Sequence, residues 1–227
     1  GALYANADYP GVTHEYLALA AAHQAIPDWA IGWVISAYLE QQDVAAAQTL
    51  LARYPGYVPD AEDDQNELFF SLLDTGQYPA ARQYVDRVMQ HAPWARYNPG
   101  DPSAQPNDLW LIGQSLNVQY LTASNALAQA QTLARQLADS APGNQGLQID
   151  YATVLQARGQ PRSAERRLKM AEALEPTNIA LESQQAYIAM DLHEWRQMDL
   201  LTDDVIARTP KDRSAQKLAR MRDIQHF

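Results

Sequence analysis

Apolar residues recur along this chain at helical spacing, in segments that come in pairs. In residues 145–178, Tyr151, Ala152 and Leu155 put an apolar face on a first helix. Ala164, Leu168 and Ala171 put another on a second helix, with Gly159 at the turn between them. The same offsets in residues 62–95 give Leu68, Phe69, Leu72, Gly76, Tyr78, Ala81, Val85 and Val88. In residues 28–61 they give Val34, Ile35, Tyr38, Ala47, Leu51 and Tyr54. A small residue stands where the two helices of a pair cross, and no segment reads as a strand. Prolines punctuate the pattern: Pro59 and Pro93 lie 34 residues apart, and Pro142, Pro176 and Pro210 continue in steps of 34. Proline ends a helix and fits the short turn before the next one. The 49 residues from Pro93 to Pro142 are one such step plus a 15-residue insertion.

Thirty-four residues is the period of the tetratricopeptide repeat, a helix–turn–helix unit that stacks into a superhelix. The fold expected is therefore all-α: one tetratricopeptide-repeat superhelix, an α-solenoid of helix–turn–helix pairs, spanning residues 1–227. Its repeats are expected at 28–61, 62–95, 111–144, 145–178 and 179–212. Repeats 111–144 and 179–212 fit less closely. Met198 stands where a small alanine is usual, which predicts a wider or shifted pair. Residues 1–27 read as a partial repeat: the tail of a helix at Ala2–Ala5, a turn over Asn6–Gly11, and a helix from about Val12 to Ala25. The chain starts at Gly1 with no initiator Met, basic segment or apolar leader, which reads as a start inside a longer protein. Residues 213–227 read as a capping helix with Leu218, Met221 and Ile224 on one face.

The insertion, residues 94–110, reads WARYNPGDPSAQPNDLW. Pro99, Pro102 and Pro106 exclude a helix over most of it. Trp94, Tyr97 and Trp110 make it unusually aromatic for a loop, so it is expected to pack on the array or on a ligand.

Composition narrows the function classes. The 227 residues contain no cysteine, which excludes disulfide scaffolds, zinc ribbons and thiol catalysis. A mean hydropathy of −0.41 with no long apolar run excludes a membrane-spanning helix. Seventeen basic residues against 27 acidic ones, a net charge of −10, argue against nucleic acid as a partner. That charge is unevenly placed. Residues 1–110 hold 14 acids and four arginines, a net of −10, whereas residues 111–227 hold 13 of each sign. A binding surface that uses the charge is expected in the first half.

No catalytic signature is present. His14, His23, His91, His193 and His226 show neither an i, i+4 pair nor a metal-ligand spacing, and no cofactor or metal is expected. Helical toroid glycosidases do use paired carboxylates on a helical scaffold, but tetratricopeptide arrays overwhelmingly bind other molecules, so a non-enzyme is expected. The densest acidic stretch is Asp60-Ala-Glu-Asp-Asp-Gln-Asn-Glu67. One or two of these acids suffice to cap a helix. The mutual repulsion of the rest would be relieved by a cationic partner, and both readings hold at once if Asp60 or Glu62 caps while Asp63 and Glu67 face the groove.

The groove of such an array is lined by the first helix of each pair. That spacing selects Trp29, Trp33 and Ser36, then Asp63, Asn66, Glu67, Phe70 and Asp74, and further on Gln119, Asp150, Thr153, Tyr187 and Asp191. Aromatic faces beside carboxylates suit sugar rings, above all amino sugars. The candidate ligand-binding set is therefore Trp29, Trp33, Asp63, Asn66, Glu67, Phe70, Asp74, Trp94, Tyr97, Asp108, Trp110 and Asp150. Core packing is the competing role for Trp29 and Trp33, and the expected one for Tyr78 and Trp195 at the turn position.

Three stretches carry a family resemblance: Ala141–Glu165 (APGNQGLQIDYATVLQARGQPRSAE), Pro106-Asn-Asp-Leu-Trp110, and Trp33–Leu39 (WVISAYL). They resemble the periplasmic tetratricopeptide region of the outer-membrane export porins for poly-β-1,6-N-acetyl-D-glucosamine, a biofilm polysaccharide. The resemblance runs from Gly1-Ala-Leu3 to the helix ending near Phe227. It implies a periplasmic location, beside a C-terminal outer-membrane β-barrel that lies outside this chain. It further implies that the array receives the partially de-N-acetylated polymer, or docks the deacetylase lipoprotein that makes it, and guides polymer toward the pore. De-N-acetylated units are cationic at neutral pH, which matches the acidic first half. The alternative is a pure protein–protein adapter that docks the deacetylase and never touches sugar. A receptor for peptide carboxylates is disfavoured, because such a clamp needs lysine and residues 1–110 contain none.

Overall fold

Capping residues and turn geometry set where each helix begins and ends. The computed structural model describes residues 8–54, 66–91, 108–210 and 213–225. Among them are twelve helices and no strand. They are α1 (Tyr9–Ala21), α2 (Asp28–Glu40), α3 (Val44–Arg53), α4 (Asn66–Asp74), α5 (Tyr78–His91) and α6 (Asp108–Ala123). There follow α7 (Leu127–Ser140), α8 (Gln145–Ala157), α9 (Pro161–Leu174), α10 (Ile179–Asp191), α11 (Trp195–Arg208) and α12 (Arg213–Gln225).

Asp8 caps α1 by accepting from the Gly11 amide at 3.0 Å, and Pro10 sits in the first turn where a missing N–H costs nothing. The helix therefore starts at Tyr9, ahead of the Val12 expected from sequence, and Pro10 and Gly11 lie inside it. Asp43 caps α3 through the Ala46 amide at 3.0 Å, and Asn144 caps α8 through the Leu147 amide at 3.1 Å. Asn178 caps α10 through the amides of Ala180 and Leu181.

Within each pair the turn repeats one backbone solution. Gln42, Gly76, Asn125, Gly159 and His193 have φ between +59° and +71°, at successive steps of 34, 49, 34 and 34 residues. The residue after each one closes a six-residue loop onto the preceding helix. Examples are Gln160 N–H to the Leu155 carbonyl at 2.9 Å and Glu194 N–H to the Ala189 carbonyl at 2.8 Å. This is the proline period written in the backbone. Only two of the five positions carry the residue that adopts this conformation without cost. Gln42→Gly is therefore expected to stabilise the chain by about 0.5–1 kcal/mol, and Gly159→Ala to destabilise it by about 1 kcal/mol. Urea midpoints of the two variants check this.

The chain forms two compact units, Gly1–Tyr120 and Leu121–Phe227. In the first, each of α1 to α5 packs on its neighbours in sequence, and the first helices α2 and α4 also touch each other. Its core is Val34, Ile35 and Tyr38 of α2, Ala47 and Leu51 of α3, Leu68, Phe69 and Leu72 of α4, and Ala81, Val85 and Val88 of α5. Those are the positions the apolar periodicity selects. Ile31, Leu39, Leu50 and Tyr84 join them, and Leu116 of α6 closes the cluster.

In the second unit α7 to α12 pack in the same sequential way, with α8 against α10 and α10 against α12. Ala164 and Met198 occupy one register in the α8–α9 and α10–α11 pairs, and both are buried, as is Ala130 one period earlier on α7. Met198 thus fills with a thioether the space that alanine leaves elsewhere. Leu218 of α12 is buried, but Ile224 is 73 % exposed, so only the start of the expected apolar face is used.

Tyr78 and Trp195 depart from the sequence expectation of core packing: they are 37 % and 38 % exposed. Each is the first residue of its helix, so its side chain, which leans toward the helix N-terminus, has no preceding turn to lie on. Among the described residues no helix is long and apolar enough to cross a membrane.

Candidate functional site

In the first unit, α2, α4 and α6 carry the candidate residues. Trp33 and Phe70 are half-buried, and Asp74 is exposed at the end of α4. Phe70 meets Phe69 edge-on, with ring centroids 5.4 Å apart. Ser36 is buried and so belongs to the packing of α2 rather than to a groove surface. Trp110 is only 8 % exposed in the first turn of α6, which makes it chiefly a core residue. Trp29, Asn66, Glu67 and Asp108 lie on α2, α4 and α6, but their side chains are outside the described structure. Asp63, Trp94 and Tyr97 fall outside the described residues altogether, as does most of the insertion.

The positive charges of this unit are largely engaged by the protein. Arg82 pairs with Asp86 at 2.8 Å, donates to Asn117 at 3.2 Å and lies over the Tyr120 ring at 5.7 Å. Arg87 donates to the Leu51 carbonyl at 3.0 Å, and Arg53 to the Tyr16 hydroxyl at 3.3 Å. Residues 111–120 carry no charge, so the unit as a whole keeps the net of −10. The structural boundary at Tyr120 therefore separates the acidic half from the neutral half.

In the second unit, the facing first helices bring together the later candidates and several residues that spacing alone does not select. Asp150 is buried and Thr153 half-buried on α8, the latter donating to the Ile149 carbonyl at 3.0 Å. Gln184, Tyr187 and Asp191 share one face of α10 at i, i+3 and i+7. Gln184 Nε2 donates to Gln156 Oε1 at 2.5 Å, and Gln156 Nε2 donates to Asp191 Oδ2 at 2.7 Å. The amide chain thus ties α8 to α10 through side chains. Lys217 of α12 holds its ammonium 5.9 Å from the centre of the Tyr187 ring. Gln156, Gln184 and Lys217 are the additions. Gln184 has a signal in the sequence, one turn ahead of Tyr187, while Lys217 depends on α12 lying against α10.

Between α9, α10 and α11 is a surface cleft of about 210 Å³, floored by Leu168, Ile188 and Leu201. Its acidic rim is satisfied within the protein. Glu165 pairs with Lys169 at 2.9 Å and Arg162 at 3.2 Å, and Arg162 also reaches Glu194 at 3.1 Å. The Lys169 hydrogen bond, with that of Arg162, holds the Glu165 carboxyl below its ordinary range. Among the described residues no group of three His, Asp or Glu side chains could hold a metal ion.

The stacked helix pairs agree with the known proteins that this chain resembles. No protein-family profile matches the chain. The poly-β-1,6-N-acetyl-D-glucosamine export proteins of Escherichia coli K12 and of E. coli O157:H7 are each 42 % identical to it over 232 aligned residues, covering the whole chain. The chain is a tetratricopeptide-repeat relative of these export proteins. It spans 29 % of their length. Among solved structures, a thermophilic tetratricopeptide protein of Thermus thermophilus superposes with a TM-score of 0.59 over 86 % of this chain and 98 % of its own, at 18 % identity. That likeness bears on the fold alone.

Proposed function

We propose that this chain is a non-catalytic binding segment of a poly-β-1,6-N-acetyl-D-glucosamine exporter, working in the periplasm and guiding partially de-N-acetylated polymer toward an outer-membrane pore. The single observation that carries the reading is the charge: the first unit holds the entire net of −10 and no lysine. A de-N-acetylated glucosamine unit bears a protonated amine, and an acidic face raises its local concentration and its association rate. In this reading Asp63, Glu67 and Asp74 supply charge-assisted hydrogen bonds, while Trp29, Trp33 and Phe70 offer ring faces to the sugar. The deacetylase that produces such units would dock on the same array, so that polymer passes directly from one to the other.

Titration of a de-N-acetylated β-1,6-glucosamine oligomer into the chain is expected to show binding at low salt that weakens steeply toward 0.3 M, as contacts between exposed charges are screened over about 6 Å. Reversing Asp63, Glu67 and Asp74 together to lysine is expected to weaken binding about tenfold or more, from roughly 0.2–1 kcal/mol per exposed pair. Binding that ignores salt, or survives the triple reversal, would refute the electrostatic reading. Capture of the deacetylase without any measurable sugar binding would favour the adapter.

A further inference from the structure

The second unit has no net charge, so attraction of cationic units does not explain its groove face. We infer that the α8–α10 face is a subsite for the N-acetylated, uncharged hexosamine units of the same polymer; this rests on the proposal that polymer occupies the groove.

Three features of the face lead to that ligand class. The first is its hydrogen-bonding type. A primary amide side chain offers two N–H donors and an acceptor oxygen with two lone pairs. In the chain Gln184–Gln156–Asp191 each glutamine gives one N–H, and Gln156 also uses its oxygen once. An acetamido group is itself an amide, with one N–H and one carbonyl, and pairs with the remaining donors and acceptors. The mutual bonds hold the two side chains in place, so little rotamer entropy is lost on binding.

The second feature is the ring. Tyr187 lies one turn from Gln184 and one turn from Asp191, half-buried, with part of its surface reaching solvent. An aromatic face of this kind packs against the C–H face of a pyranose.

The third feature selects against charge. Among the described residues, Asp150, Asp191 and Lys217 are charged groups on or beside this face. Asp150 is buried and Asp191 is engaged by Gln156, while the Lys217 ammonium sits over the Tyr187 ring. A protonated glucosamine stacked on Tyr187 would bring a second cation beside Lys217. An N-acetylated unit would not. The two units would then divide the polymer by its acetylation pattern, cationic residues to the first and acetylated residues to the second.

The test uses the whole chain, isotopically labelled, with two probes: a fully N-acetylated and a fully de-N-acetylated β-1,6-linked pentasaccharide. The acetylated probe is expected to shift the side-chain amide signals of Gln156 and Gln184, with an affinity that changes less than about twofold up to 0.3 M salt. Tyr187→Ala and Gln184→Ala are each expected to weaken it about five- to tenfold while leaving the de-N-acetylated probe within about twofold. Lys217→Gln is expected to allow the de-N-acetylated probe to shift the same amide signals. If the acetylated probe binds without moving those signals, or does not bind while the other does, this inference fails and the reading of the first unit stands. If neither probe binds at any salt, both fail.

Discussion

Truncating Phe69 to alanine is expected to cost about 3–5 kcal/mol, the range for removing a fully buried aromatic ring. Phe69 is 0 % exposed on α4, with Tyr84 of α5 at 5.9 Å between ring centroids and Phe70 at 5.4 Å. Leu68 and Leu72 of the same helix and Val85 and Val88 of α5 complete the surrounding core. The effect is large because most helical stability in a folded chain comes from packing rather than from propensity. The urea midpoint should fall by roughly 2 M at an ordinary dependence on denaturant, and amide exchange in α4 and α5 should accelerate first. Phe70→Ala, which removes a half-buried ring from the same helix, should cost about 1–2 kcal/mol. Equal losses at the two positions would show that the core is not built on Phe69.

The contrast between adjacent phenylalanines is the kind of information that apolar spacing carries well. Leu68, Phe69 and Leu72 are selected for the core, and Phe70 for the groove, by their angular positions on a helix. The register of the turns is legible for the same reason: Gly76 and Gly159 mark outright two of the five left-handed residues that turn one helix of a pair into the next. Gln42, Asn125 and His193 hold the same conformation without announcing it, because the tertiary packing of the pair imposes the turn whichever residue is present.

What spacing could not show depends on contacts between helices far apart in sequence. Gln148 and Glu182, one 34-residue period apart, are both polar and both buried. An alternation of polar and apolar residues would place them at the surface. Gln148 is tolerated because it donates to the Ala138 carbonyl at 3.0 Å and accepts from Arg167 at 3.2 Å. That arginine lies over the Tyr151 ring at 4.7 Å and reaches Asp139 at 3.4 Å. The groove shows the same limit. Asp150, Thr153, Tyr187 and Asp191 are selected by their place on first helices, but the amide link from Gln184 to Gln156 exists only because α8 and α10 stand side by side. The charge partition needed no structure to detect. Its coincidence with the boundary at Tyr120 did, since nothing in the uncharged stretch 111–120 marks a division.

Glu182 makes the second strong prediction, because among the described residues its partner is a single arginine. Its side chain is 12 % exposed on α10 and forms an ion pair with Arg208 at the end of α11. Arg208 also binds Asp204 one turn back at 2.6 Å, but that carboxylate is 58 % exposed and adds little. Replacing Arg208 with methionine leaves a carboxylate buried without a counter-charge. A fully buried pair broken in this way costs about 3–5 kcal/mol. Since the Arg208 side chain is 34 % exposed, about 2–3 kcal/mol is expected here. Adding Glu182→Leu removes the orphaned charge and offers apolar surface to the methionine. The double variant is expected within about 1 kcal/mol of the parent, or above it, at neutral pH. Denaturant titrations of the parent, both single variants and the double variant complete the cycle. If Arg208→Met is as stable as the parent at neutral pH, or if Glu182→Leu fails to rescue it, the ion pair is not what makes burial of Glu182 tolerable.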